Sequence, residues 1–270
     1  MKRLASLLVM LTLLAVADVP ALVHATITLH TAAVGDLCGS NGRCSKTAPL
    51  AEGADLVLPL GDEAYMRGTL EQFTSYYDPF WGVFNPIADP APGNHEYRTT
   101  NAQGYRDYFG FNDTQTLYRS FDLNGWHFLQ LDTQRMTSTQ VTWAKGDLAA
   151  DNQQCEVAYG HHPRYSSGAH GNESNQAGIW NAFAAAGGDI YLAAHDHDYE
   201  RVDRDGVQEF IVGTGGESLN KFGTITSGSQ FRYNANYGVL MLDLNDDATY
   251  SWQFVTIDGA VIDSGNGLCR

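Results

Sequence analysis

The chain has 270 residues, 43% of them apolar, with 28 glycines against 8 prolines, so it is long enough to bury a full core in a loop-rich fold. Its 16 Lys and Arg stand against 31 Asp and Glu, a formal net charge of −15, and no Lys/Arg cluster interrupts this. That balance argues against binding to a nucleic-acid backbone, and an anionic substrate would need bound cations to supply local positive potential. At the N-terminus Lys2 and Arg3 precede an apolar run over residues 4–17 and the small-residue site Val23-His24-Ala25, the layout of an export signal cleaved after Ala25. The run is shorter than the roughly 20 residues of a spanning helix. No second apolar segment follows, so we expect no membrane anchor and a secreted, extracytoplasmic domain over residues 26–270.

Residues 26–34 are β-branched and apolar and read as a strand ending at Gly35-Asp36. Cys38 and Cys44 bound a turn-rich loop in which they can meet, which leaves Cys155 and Cys269 to tie the C-terminal tail to a later strand. Four cysteines suit an oxidising compartment, but they allow three pairings and the sequence does not select one. A short helix is expected over residues 48–53. The apolar run 55–60 reads as a buried strand that Gly61 breaks, so that Asp62 projects from its end. Residues 69–77 have helical spacing, and Gly93-Asn94-His95-Glu96 follows a short connection. Asn124-Gly125 is a two-residue turn signal between strands at 118–122 and 126–132. Residues 139–150 and 176–186 read as helices. Residues 155–160 and 189–194 read as strands running into His161-His162-Pro163 and His195-Asp196-His197. Strands at 207–213, 237–245, 249–258 and 260–263 complete an α/β fold of two sheets with helices on the outer faces.

Five strand-end loops therefore carry metal-ligand side chains: Asp36, Asp62 with Tyr65, Asn94 with His95, His161, and His195 with His197. Carboxylate, amide, phenol and imidazole donors together suit Fe, Mn or Zn. A cluster this large, with a carboxylate to share, fits two ions about 3.5–4 Å apart. His127 and His30 lie inside strand patterns and read as satisfied core histidines. Gly213-Thr214-Gly215-Gly216 lacks the Lys-Ser/Thr of a phosphate loop and reads as a turn.

The ordered series Gly35-Asp36, Gly61-Asp62-x-x-Tyr65, Gly93-Asn94-His95-Glu96, His161-His162-Pro163 and His195-Asp196-His197 resembles the calcineurin-like metallophosphoesterase superfamily. Tyr65 and Tyr199-Glu200-Arg201 resemble its purple acid phosphatase branch, in small secreted bacterial-type members. The resemblance implies a four-layer α/β/β/α sandwich of two mixed sheets, with the metal site at strand-end loops. It implies that Asp36, Asp62, Tyr65 and His197 hold one metal, Fe(III) by virtue of the phenolate. Asp62, Asn94, His161 and His195 would hold a second, divalent ion (Fe, Zn or Mn), with His95 and His170 touching the phosphate or leaving group. Glu96, Tyr199, Glu200 and Arg201 would brace the site from behind. The implied activity is hydrolysis of small phosphate monoesters by direct attack of a metal-bound hydroxide. The alternatives are a phosphodiesterase on the same site and an inactive metal-binding module. Ala194 departs from the family's Gly-His-x-His, which is tolerable where the backbone does not need a positive φ.

Overall fold

The structure, a computed structural model, describes residues 25–270, and the leader expected over residues 1–25 lies, but for its last residue, outside them. In chain order the elements are β1 (Thr28–Val34), α1 (Cys44–Thr47) running into a 3-10 turn (Ala48–Ala51), and β2 (Leu56–Pro59). Next come α2 (Leu70–Gln72), continued by a π-helical turn (Phe73–Tyr77), and α3 (Gln103–Phe109). The middle holds β3 (Arg119–Leu123), β4 (Trp126–Gln130), α4 (Ser138–Ala150), β5 (Cys155–Tyr159), α5 (Ala177–Ala186) and β6 (Ile190–Ala193). Six strands close the chain: β7 (Tyr199–Arg204), β8 (Val207–Val212), β9 (Ser229–Tyr233), β10 (Gly238–Asn245), β11 (Thr249–Thr256) and β12 (Val261–Leu268).

Two mixed sheets face each other, flanked by helices. The smaller has the order β12-β11-β10-β1-β2, parallel only between β1 and β2, and the larger the order β3-β4-β5-β6-β8-β7-β9, parallel from β4 through β8. Period-two alternation divides the core. Trp126, Phe128, Val157, Tyr159, Ile190 and Leu192 point between the sheets. Their neighbours Leu129, Ala158, Tyr191 and Ala193 point the other way, against Ala144 and Leu148 of α4 and Ile179, Trp180 and Phe183 of α5. β5 and β6 are thus covered on both faces, which is why they read as continuous apolar runs. On the far side the outer layer is slender, with the 3-10 turn Ala48–Ala51 lying against β10. The Cys155–Cys269 disulfide joins the start of β5 to the tail beyond β12, one end in each sheet, and Cys38–Cys44 closes the loop after Asp36.

Four elements escape the sequence pattern: α1, α3, β7 and β9. β7 looks like a polar loop because Tyr199 and Arg201 turn to Asp263 of β12, with Tyr199 Oη 2.8 Å from Oδ2 and a two-pronged Arg201 contact at 2.8 and 3.1 Å. These two residues therefore fasten sheet to sheet and do not brace the metal loops. β12 runs five residues past its expected end, and its Gly265 and Gly267 lie under the rings of Trp252 and Tyr250, where an added Cβ would come within 2.3 and 2.2 Å. His30 is exposed on β1 beside Asp243 at 2.7 Å, contrary to the core reading, because residues on the far face of an edge-covered sheet alternate outward.

Candidate metal centre

The parallel pairing of β1 and β2 continues past both strands into the loops that carry Asp36 and Asp62. Asp36 N donates to the Gly61 carbonyl at 3.1 Å, Leu37 N to Asp62 O at 2.9 Å and Tyr65 N to Cys38 O at 2.7 Å. Asp36, Asp62 and His195 have left-handed backbones, with φ of 56°, 53° and 67°. Asp and His adopt that region more readily than most residues, and such outliers cluster at functional sites. Each turn swings a side chain from the sheet's rim into one buried cluster.

All seven candidate ligands join there by direct polar contacts. Tyr65 Oη donates to Asp36 Oδ1 at 2.6 Å and lies 3.1 Å from Asp62 Oδ2 and 3.4 Å from His197 Nε2. His161 Nε2 lies 3.0 Å from Asn94 Oδ1, 3.4 Å from Asp62 Oδ2 and 3.2 Å from His195 Nδ1. Asp36, Asp62 and His161 are fully or almost fully buried and present donor atoms within 4.8 Å of one another. Glu96 holds this from behind, accepting from Asp62 N at 2.9 Å and Gly93 N at 2.8 Å, as the motif implied. Asp62 in turn accepts from His95 N at 2.7 Å. Ala194 has no positive φ, and its methyl fills the space a Cβ on Gly35 would need, 2.5 Å away, so the departure from Gly is accommodated across the two loops.

The histidine tautomers follow from fixed acceptors. His161 Nδ1 lies 2.9 Å from Leu60 O and His197 Nδ1 2.9 Å from Ser218 O, and a carbonyl can only accept. Each Nε2 is left to face carboxylate oxygens, the arrangement of a metal-ligating histidine pinned through its other nitrogen. Burial works against the His161 and His197 charges, but Asp62 and Asp36 outweigh it, raising them to about 9 and about 10. Burial likewise opposes ionisation of Asp36, and the His197 and His161 charges hold it at about 2, while Asp62 is held well below the usual carboxylate range. Two protons thus balance two carboxylates, and cations would replace that charge on the same atoms. His195 goes the other way, pushed down to about 4 by burial and the His161 charge, which leaves it a neutral donor. The donor set fits two ions.

His95 and His170 sit on opposite sides. His95 is buried against the Tyr65 ring at 4.3 Å, with Nδ1 2.9 Å from Met66 O and Nε2 3.8 Å from Asp62 Oδ2. Burial lowers its pKa. His170 stacks on His195 with centroids 4.2 Å apart and leaves 46% of its side chain exposed. Its Nδ1 lies 2.9 Å from Asp196 Oδ1, and that hydrogen bond raises its pKa. Asp196 is the residue the sequence reading missed: fully buried, it also takes His170 N at 2.7 Å and Ser166 Oγ at 2.5 Å. Its position between His195 and His197 was the available signal. Glu200 bears on the same loop by accepting from Ser167 N at 2.6 Å. The Gly213-Thr214-Gly215-Gly216 stretch is more than a turn, since Gly215 N donates to Gly35 O at 3.0 Å and backs the Asp36 loop.

The family model for calcineurin-like phosphoesterases matches residues 29–199, the span from β1 to the start of β7. The chain belongs to that family. Among curated proteins it is 29% identical to human (Homo sapiens) acid phosphatase type 7 over 182 residues, covering 55% of this chain and 41% of that protein. The match to the mouse (Mus musculus) protein of the same name has 28% identity over 182 residues. The matched stretch spans less than half the length of these relatives. Among solved structures, a purple acid phosphatase from yellow lupin (Lupinus luteus) seeds superposes with TM-score 0.72 at 20% identity, covering 89% of this chain and 53% of that one. GAP50, the anchor in the inner membrane complex of Plasmodium, superposes with TM-score 0.71 at 16% identity, covering 90% and 89%. The fold is shared with both, and the acid phosphatase likeness agrees with the resemblance read from the motifs.

Proposed function

We propose that the chain is a secreted two-metal phosphoesterase that hydrolyses small phosphate monoesters with no covalent phosphoenzyme. The observation that carries this reading is the convergence of His161 and His197, each with Nδ1 tied to a main-chain carbonyl, on two buried carboxylates and a phenol. Asp36, Tyr65 and His197 would hold one ion, Asn94, His161 and His195 the other, and Asp62 both. Bound cations supply Lewis acidity, bringing a coordinated water's pKa to near neutrality and offsetting charge on the phosphoryl group. Without metal, burial and Asp36 drive the Tyr65 phenol well above its ordinary pKa, and a strongly charged ion such as Fe(III) would take it as phenolate.

The chain's own residues divide the remaining work. His170, held through Nδ1 by Asp196, keeps its other ring nitrogen for a proton that passes to the departing alkoxide. His95, with Nδ1–H given to Met66 O, presents Nε2 as an acceptor. An acceptor suits the acidic oxygen of a monoprotonated phosphate, which a monoester has and a diester lacks. One recess of about 570 Å³ adjoins His170 and is lined by Arg204 and Thr224, and another of about 490 Å³ adjoins Tyr65 with Arg43 and Glu217. A recess on each side favours one second reading, a phosphodiesterase with an ester group in each. An inactive binding module on the same fold would have no reason to keep every donor. Two disulfides and the charged-then-apolar leader support export.

Metal analysis with a visible spectrum tests the centre: two ions per chain that depend on Asp62 and a purple or pink colour lost in Tyr65→Phe are expected, and a single Asp62-dependent ion would refute it. Asp62→Ala should abolish the metal held at this centre and turnover together. Faster turnover of bis(p-nitrophenyl) phosphate than of p-nitrophenyl phosphate would replace the monoesterase by the diesterase.

A further inference from the structure

A second histidine–carboxylate cluster lies at the other rim of the larger sheet. The catalytic loops follow the ends of β1, β2, β5 and β6, whereas His127 sits near the start of β4, which runs parallel to β5. In register opposite it stands Asp122 of β3, with His127 Nδ1 2.6 Å from Asp122 Oδ1. Asp147, in the last turn of α4, meets His127 Nε2 at 2.9 Å, and Asp151, the residue after α4, puts Oδ1 3.6 Å from Nδ1. A carboxylate oxygen of Asp122, one of Asp151 and a ring nitrogen of His127 all lie within 4.8 Å of one another.

Two features separate this cluster from an ordinary acidic surface. Asp151's side chain is only 3% exposed, and among the described residues its Oδ2 accepts no hydrogen bond. A buried carboxylate oxygen without a donor costs desolvation that a bound cation would repay. Asp147 is itself held by Ser120 Oγ at 2.8 Å, so it can fix the Nε2–H tautomer of His127 and free Nδ1 as a ligand beside Asp122 and Asp151. That is the carboxylate–histidine–metal relay, built from side chains. The cluster lines a cavity of about 330 Å³, and Asp122 is 54% exposed at its mouth, so an ion and its waters can enter. The C-terminal carbonyls of α4 add negative potential, with no Lys, Arg or His in the helix's last turn to offset it. Glu156, pushed up to about 7 by burial and by Asp189 and Asp151, registers the same excess of negative charge.

We infer that His127, Asp122 and Asp151, with Asp147 orienting the imidazole, form a binding site for one divalent cation of the Mn²⁺ or Zn²⁺ class, separate from the catalytic centre. The site joins the β3–β4 hairpin to the end of α4, so its occupancy strengthens a seam at the sheet's edge.

The full chain, stripped with a chelator, reloaded with Mn²⁺ and desalted, tests this by manganese content and thermal melting. Asp151→Asn should hold one Mn²⁺ fewer per chain than the unaltered protein and lose part of the Mn²⁺-induced rise in Tm, with turnover of p-nitrophenyl phosphate unchanged within about twofold. In an Asp62→Ala background the remaining Mn²⁺ and its Tm shift should persist, and adding Asp151→Asn should remove them. Should Asp151→Asn misfold, Asp122→Asn at the exposed mouth reads out the same loss. Equal manganese content with and without these substitutions overturns the inference, whatever Asp62→Ala does to turnover.

Discussion

At the strand-end centre His161 and His197 each give one ring nitrogen to a main-chain carbonyl, while at the opposite rim His127 meets carboxylates with both. The first geometry rests on main-chain carbonyls, with Asp36, Asp62, Tyr65 and His161 buried and Asn94, His195 and His197 half-buried. The second rests on side chains from a hairpin and a helix end, one of them half in water. Donors pinned by main-chain carbonyls hold ions in a fixed geometry and lower the reorganisation a reaction requires, whereas a partly solvated set held by other side chains is suited to an exchangeable structural ion. On the proposed readings the same residue types would serve chemistry at one end of the sheet and stability at the other.

Gly93→Ala should break the strand-end side most completely. Its new Cβ would fall 2.2 Å from Asp62 Oδ1 and 2.4 Å from Asp62 N, so the shared carboxylate must move. Turnover of p-nitrophenyl phosphate should drop at least about 10²-fold, since displacements near 1 Å cost that much, while manganese retained at the His127 cluster stays constant. Next in size, His170→Ala should lower kcat about 10²-fold, the scale of one general acid. The Asp196 hydrogen bond raises the His170 pKa, so the acid form is present below it and activity falls as pH rises through it. The variant should therefore flatten the alkaline limb of the kcat profile, and an unchanged limb would assign the acid elsewhere.

The smallest effect is expected from His127→Gln, in stability alone. Burial lowers the His127 pKa, but its hydrogen bonds to Asp122 and Asp147 outweigh this and leave it raised in the folded chain. A raised pKa contributes stability that is complete below the unfolded value near 6.5 and is lost as pH rises through the folded one. In metal-free protein the substitution should cost about 1–2 kcal/mol at pH 5 and less at pH 9, by denaturant melts, in keeping with loss of charged hydrogen bonds at a partly solvated site. Equal cost at both pH values would mean that His127 acts there only by packing.

The apolar strands, the Asn124-Gly125 hairpin and the two long helices were legible because period-two and period-3.6 patterns report burial directly. Asn124 and Gly125 do take the positive φ that such a turn needs. β7 was not legible because its Tyr199 and Arg201 are polar residues satisfied by a partner 64 and 62 positions away. His127 reads as a satisfied core histidine and is one, buried with both ring nitrogens bonded, but its partners were not legible for a related reason. Its apolar neighbours along the strand are visible, but Asp147 and Asp151 reach it only when α4 folds back across the sheet. Asp196 was in plain view between two histidines, yet its hold on the His170 loop depends on a contact 26 positions long.

By itself the sequence determined which residues could carry the chemistry, because the strand-then-ligand pattern is local: a run of apolar residues, a break, and a donor side chain. It also determined that these donors would share one rim, since parallel strands deliver their ends to the same edge. Only the tertiary structure decided what each donor does. Protonation, tautomer and burial come from acceptors such as Leu60 O, Ser218 O and Met66 O that are chosen by packing and encoded by no side chain.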